Sequence, residues 1–281
     1  VIIIFDLITK YGDIIIHHGK NNDRAYLLSI GDSDIDFVYE KLEKLAKQNN
    51  YGKIIVKLPY KSIAKFIKNG FVIEANIPKY YYGLEDAVFL CKYYNEKRKV
   101  DEEKFKCDDI IKISKIKAQK GKNIKLDTSF ICCKATIADV SSMTELYRKI
   151  FKTYPFPIHN EEYILKTMNE NVIYYGVWEK TKLIALSSIE MDIKNNAAEM
   201  TDFAVLEEYR GNNIAHALLG KMEEKSFKLG IKTVFTIARA KSPGMNITFA
   251  RSGYDYGGTL INNTNISGQI ESMNVWYKSL K

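Results

Sequence analysis

The stretch at 197–219 constrains this chain more than any other part of it. An alternating run ending in Phe203, Ala204 and Val205 has the pattern of a strand. Arg210-Gly211 is a turn, and Ile214, Ala215, Leu218 and Leu219 open a helical apolar pattern almost at once. A strand that turns tightly into a helix leaves the first helical N–H groups without partners, aimed at whatever anion sits before them. Small side chains at Gly211 and Ala215 let such a ligand approach the backbone closely. Arg210, Gly211, Asn212, Asn213, Ile214 and Ala215 are therefore candidate anion-binding residues.

The elements around this turn are well punctuated. Asp139 reads as an N-cap for an amphipathic helix that Tyr154-Pro155-Phe156-Pro157 breaks. Strands are predicted at 172–178, 183–191 and 197–205, an antiparallel meander. A helix at 213–229 ends at Gly230, a strand follows at 232–238, and a short helix runs from Ser242-Pro243 to Gly253. Strands at 254–261 and 270–277 are expected to flank an Asn-rich loop, whose density of Asn suggests a polar pocket.

Arg210, Gly211 and Ala215 resemble the Arg/Gln-x-x-Gly-x-Gly/Ala motif of the GNAT superfamily of N-acetyltransferases, with Asn213 standing where that family usually has Gly. Asn is the non-Gly residue that best tolerates a left-handed backbone. The order of elements over residues 131–281 resembles a GNAT domain. Ala198 to Ala204, Ile237 to Ala240, Gly244-Met245-Asn246, Gly253-Tyr254, Gly257-Gly258 through Ile266, and Glu271 to Lys278 resemble the β-lysine N-acetyltransferase family more specifically. The resemblance implies a GNAT fold, acetyl-CoA as co-substrate, and transfer of acetyl to the terminal amine of β-lysine (3,6-diaminohexanoate). The product would be a compatible solute.

The first half reads as short strands and helices, so the fold class is mixed α/β, with an α+β character. A length of 281 residues suggests two domains, drawn here as 1–95, a connecting helix and linker at 96–127, and a GNAT domain at 128–281. A polar turn is predicted at 120–123. Ser62 to Phe71 echoes Asn246 to Tyr254, each a short helix closed by Gly and an aromatic residue. Either the first half is a degenerate copy of the same fold or the likeness is chance. It has no Arg-Gly turn before a helix, so no cofactor is expected there.

Lys and Arg number 42 against 34 Asp and Glu, a net +8 that favours anionic partners. Acids interrupt the basic residues at 96–127, which reads as a solvated helix face and not a nucleic-acid stripe. The longest apolar runs, at 1–5 and 87–91, are too short to cross a bilayer, and no secretory signal is seen. The four cysteines form no CxxC pair, so reduced thiols, a cytoplasmic location and no metal are expected.

Acetyl transfer to an amine needs a group to take the ammonium proton and N–H donors for the thioester carbonyl. Glu199 and Asp202 are the candidate bases, and Glu190 a third. On a regular strand Glu199 and Asp202 point to opposite faces, unless a bulge of the kind common in this superfamily reorients them. Backbone amides of Phe203, Ala204 and Val205 would hold the carbonyl, and Asn246 is a further cofactor candidate. Tyr154, Arg239, Asn263 and Glu271 are candidates for the zwitterionic acceptor, Arg239 through its carboxylate. Phe249 occupies the place of the superfamily's Tyr acid; Tyr254 and Tyr256 are alternatives. Asn213 and Phe249 also motivate a rival, a non-catalytic acyl-CoA-binding regulator. A further rival acetylates another diamine, amino acid or polyamine.

Overall fold

The computed structural model describes residues 6–119 and 126–280. The apolar run at 1–5 and the turn expected at 120–123 lie outside them. The first half contains β1 (Leu7–Tyr11), β2 (Ile14–Gly19), β3 (Arg24–Ser29), α1 (Ile35–Gln48), β4 (Lys53–Pro59), α2 (Ala64–Lys68), β5 (Val72–Tyr81) and β6 (Glu85–Tyr93). The connecting helix is α3 (Lys104–Ala118). The second half follows as β7 (Phe130–Lys134), α4 (Val140–Ile150), α5 (Glu161–Asn169), β8 (Val172–Glu179), β9 (Lys182–Asp192) and β10 (Ala197–Val205). It closes with α6 (Ile214–Lys228), β11 (Thr233–Arg239), α7 (Pro243–Arg251), β12 (Asp255–Ile266) and β13 (Gln269–Ser279). Among the described residues no helix is long and apolar enough to cross a membrane.

All thirteen strands belong to one sheet, in the order β1-β2-β3-β4-β6-β5-β12-β13-β11-β10-β9-β8-β7. The two halves repeat one topology. In the first, β3 and β4 are parallel across α1, and β6 lies between β4 and β5. In the second, β10 and β11 are parallel across α6, and β13 lies between β11 and β12. The echo of Ser62–Phe71 in Asn246–Tyr254 is therefore the α2–β5 unit matching α7–β12. The second half adds β7, α4 and α5.

The halves meet edge to edge, where β5 and β12 pair at Ala75 and Gly258. Glycine is required there. A Cβ on Gly258 would stand 2.2 Å from the Glu74 carbonyl oxygen, and one on Gly257 2.3 Å from that of Asn76. Gly258 also has φ +139°, which other residues rarely adopt. Past this point side chains replace the ladder. Lys53 Nζ donates to the Ile261 carbonyl at 2.7 Å, and Glu74 Oε2 accepts from the Ile261 N–H at 3.1 Å. Lys53 and Glu74 are themselves paired at 2.9 Å, both buried.

The Asn-rich stretch is a correction to the sequence reading. It is not a loop but the distal part of β12, with only Ser267-Gly268 turning into β13. Its asparagines fasten the halves together. Asn262 Nδ2 donates to the carbonyls of Arg98 and Val100, and Asn265 Nδ2 to that of Asn21. Helix α5 was also unforeseen, being short and close behind the Pro155/Pro157 break.

Three apolar clusters follow from this arrangement. One joins α4, α5, α6 and α7 to the second half's strands, and one joins α1 and α2 to the first. The third holds Ile55, Ile77 and Phe89 of the first half against Ala197, Phe235 and Val275 of the second. Each half thus shields part of the other's sheet. Replacing Gly258 with Ala should cost at least about 3 kcal/mol, because backbone must move against backbone. Denaturant unfolding checks this, with Gly220→Ala in α6, where a Cβ would meet nothing within 4 Å and φ is not positive, as the mild control.

Candidate active site

Strands β10 and β11 pair only from Ala197–Thr233 to Glu199–Phe235 and then diverge. The wedge between them opens into a cavity of about 640 Å³. Its walls include Thr201, Asp202, Phe203 and Val205 of β10, Thr236 to Arg239 of β11, and Arg210, Gly211, Asn213, Ile214 and Ala215 of the turn. The β10 amides that face the wedge have no strand partner there. Helix α6 opens with Asn213 as N-cap, and its side chain makes no capping bond. The first-turn N–H groups are consequently unspent, and they border the cavity. Asn213 has φ +59°, the left-handed geometry that its substitution for Gly required.

The corresponding helix of the first half is closed. Asp34 caps α1 with its own carboxylate, accepting from the Asp36 and Phe37 N–H groups at 2.9 and 3.1 Å. An anion has no donors left there and would meet a negative charge.

A bulge decides the direction of the acids. Thr201 pairs with Ser188 but Ala204 with Leu186, so β10 carries one extra residue, and Asp202 has φ +56°. Asp202 thereby joins the face of Glu199 instead of opposing it. Its Oδ2 accepts from Ser188 Oγ at 2.7 Å, and its Oδ1 from the Tyr154 hydroxyl. Glu199 is directly opposite Glu190 of β9. Among the described residues no side chain donates to either Glu; the Ile237 N–H lies beside the Glu199 carboxylate.

Burial and mutual charge disfavour ionising all three carboxylates together. Burial pushes Glu199 up to about 7, against the pull of Lys57 and with the push of Asp202. Burial, then the charges of Asp202 and Glu199, raise Glu190 well above the usual range. Asp202 is raised by burial in spite of its hydroxyl donors. Lys57, on β4 of the first half, is the ammonium that faces them, lowered by burial and donating to the Tyr80 hydroxyl at 2.6 Å. Glu190, Glu199, Lys57 and Tyr26 are surrounded by protein yet keep accessible surface. They line a crevice and not a packed core.

Several sequence candidates are placed elsewhere. Arg239 and Glu271 grip each other bidentately at 2.9 and 2.7 Å, so each is spent as a substrate contact. Asn246 is fully buried; it donates to the carbonyls of Arg239 and Ser242 and accepts from Asn274 and Trp276, which leaves nothing for a cofactor. Ala204 points into the core, and Asn212 donates to the Tyr209 carbonyl. Asn263 is buried at the seam between the halves, away from the wedge. Phe249 packs edge-on against Phe203 and Tyr254, and Tyr256 against Trp276, so no phenol takes the place of the superfamily acid. Lys57 and Tyr26 escaped the sequence reading, since only the fold brings β3 and β4 over β10. Among the described residues no cluster of His, Cys, Asp or Glu is arranged to hold a metal ion.

Residues 140–254 match the model of the acetyltransferase (GNAT) family. The β-lysine N(6)-acetyltransferase of Methanococcus maripaludis is 39% identical over 96% of this chain and 98% of its own. That of Methanosarcina mazei is 34% identical over 85% of this chain and 95% of its own. The N-acetyltransferase YodP of Bacillus subtilis is 34% identical over 95% and 96%. The chain belongs to the β-lysine N-acetyltransferase family of the GNAT superfamily. It is an N-acetyltransferase, and the matches to its relatives run through both halves.

The raised Glu199 has a consequence for stability. A carboxyl at about 7 when folded and near 4.5 when unfolded binds more protons in the folded state between those values. Stability therefore falls as pH rises through that window, by up to about 1.4 kcal/mol per unit. Glu199→Gln should flatten this decline, a result read from melting temperatures between pH 5 and 8.

Proposed function

We propose that the chain transfers the acetyl group of acetyl-CoA to the terminal amine of β-lysine. The observation that carries this reading is the face bearing Glu190, Glu199 and Asp202, three dry carboxylates opposite one lysine. Such a face lacks positive charge, and an ammonium acceptor supplies it. The names of the relatives in Methanococcus and Methanosarcina give the acceptor's identity.

The wedge suits the co-substrate. The unspent amides at the start of α6 and the open Gly211, where a Cβ would meet nothing, are fitted to a pyrophosphate. Acetyl-CoA brings the acetyl group and a thiol leaving group. A thiol of pKa near ~8.5 departs readily as thiolate, so Phe249 in place of a phenol is no bar to turnover. The β10 amides of Phe203 and Val205, which alternate away from β9, are the donors for the thioester carbonyl.

Glu199 is the base, because among the described residues no side chain donates to its carboxylate, which lies beside the Ile237 N–H. Asp202, with both oxygens engaged, holds the ammonium and orients Tyr154. Raising Glu199 from 4.5 to about 7 brings it closer to the amine by about 3 kcal/mol of proton-transfer cost. The amine becomes a nucleophile only after that proton leaves.

Two outcomes test the reading. With β-lysine and acetyl-CoA, thiol release should require Glu199 deprotonated, so kcat/KM falls about tenfold per unit below pH 7. Glu199→Gln should lower kcat by about 10²–10⁴-fold; if turnover persists with an unchanged pH profile, Glu199 is not the base. At the turn, Asn213→Gly should leave the KM for acetyl-CoA within about twofold. Asn213→Val, strained at positive φ by roughly 1–2 kcal/mol, should raise it about tenfold.

A further inference from the structure

An amino acid acceptor presents a carboxylate as well as amines, and the face of β9 and β10 offers that end only repulsion. The first half carries the complementary charge. His17 on β2 is directly paired with Tyr26 on β3, and Arg24 shares their face two residues earlier. Most cations near this face are committed: Lys53 to Glu74, and Arg98 to Asp23 and the Asn22 and Asn262 carbonyls. Asp6, whose charge acts on both His17 and Arg24, accepts from the N–H groups of Asn21 and Asn22.

Arg24 is different. It is 3% exposed, and its Nη1 donates to the Asn263 carbonyl at 2.6 Å and to Thr264 Oγ1 at 3.0 Å. Its buried Nε has no partner among the described residues. The fully buried His17 has the Pro155 carbonyl near its ring but no well-formed hydrogen bond at either nitrogen, and Asn263 Oδ1 has no partner among the described residues. Each orphaned polar atom costs about 1–3 kcal/mol, and a guanidinium edge beside an imidazole is a donor set for a carboxylate.

The position also fits. Tyr154 bonds Asp202, and Phe156 lies on the His17 ring at 4.8 Å. Tyr26 bridges the same gap, with Arg24 5.2 Å from its ring centre and the charges of Glu199 and Glu190 on its phenol.

We propose that Arg24 and His17 of the first half bind the carboxylate of the acceptor, with Asn263 Oδ1 accepting from the adjacent amine. The half that lacks the anion turn then selects amino acids over polyamines. This rests on the acetyltransferase reading and adds the acceptor's second anchor.

The test compares β-lysine with 1,4-diaminopentane, its counterpart with hydrogen in place of the carboxylate. The unaltered protein should prefer β-lysine, chiefly in KM. Arg24→Gln should reduce the ratio of the two kcat/KM values at least tenfold, Arg24→Lys should restore part of it, and His17→Ala should move it the same way. Equal losses for both acceptors in Arg24→Gln and His17→Ala would overturn the proposal, since a seam defect disturbs both alike. No preference in the unaltered protein would overturn it too. No turnover of β-lysine by the unaltered protein, with acetyl-CoA bound, would instead overturn the function on which it rests. Should Arg24→Gln not fold, Arg24→Lys and His17→Ala carry the same comparison.

Discussion

The acid face of β9 and β10 is shielded because the first half's strands are held over it. Those strands stay in place through one close backbone approach, β5 against β12, which Gly257 and Gly258 make possible. Everything distinctive about the site descends from this contact. It brings Lys57 and Tyr26 over Glu199 and Glu190, and it removes the water that would let three neighbouring carboxylates ionise. A GNAT domain with this face open would carry ordinary acids there, weak as bases for an ammonium.

The same geometry sets a conflict between stability and chemistry. Unsatisfied acids on one inner face and unsatisfied donors on the other both weaken the empty protein. A zwitterionic acceptor relieves both at once, because its two ends have the charges that the two faces lack. Binding energy is thus concentrated on ligands that carry both ends. The bulge at Asp202 contributes by turning a third carboxylate inward while freeing the β10 amides on the wedge.

Local chemistry explains what could be read from the residues. The turn from β10 into α6 is encoded by Gly211, Asn213 and the apolar spacing after them, so its position and openness were legible. The meander and the Glu199 side of the site followed from alternation. The misreadings all involve partners distant in sequence. Asn262 and Asn265 look like loop residues, but their partners lie in the first quarter and near Arg98, so they are strand. Arg239 and Glu271 each look available to a substrate, but the β11–β13 register sets Arg239 opposite Met273, a diagonal step from Glu271, and the two pair. Asn246 was taken for a cofactor contact because nothing local shows that Trp276 and Asn274 consume it. Arg24 and His17 have no motif at all; their relevance is a property of the pairing of two halves.

The repeated topology clarifies why the halves differ. Both have a parallel strand pair bridged by a helix, hence the same potential anion site. In the second half Asn213 leaves the helix start open, whereas in the first Asp34 fills it with a carboxylate. Closing that site stabilises α1 by an N-cap worth about 1 kcal/mol and removes a competing anion site. What the first half keeps is its inner face, where Lys57 stands opposite the acids of the second. One half leaves the donors of its helix start open, and the other sets a cation against the acids. Such a division leaves neither half sufficient alone, since the acids are raised only under the first half and the wedge exists only in the second.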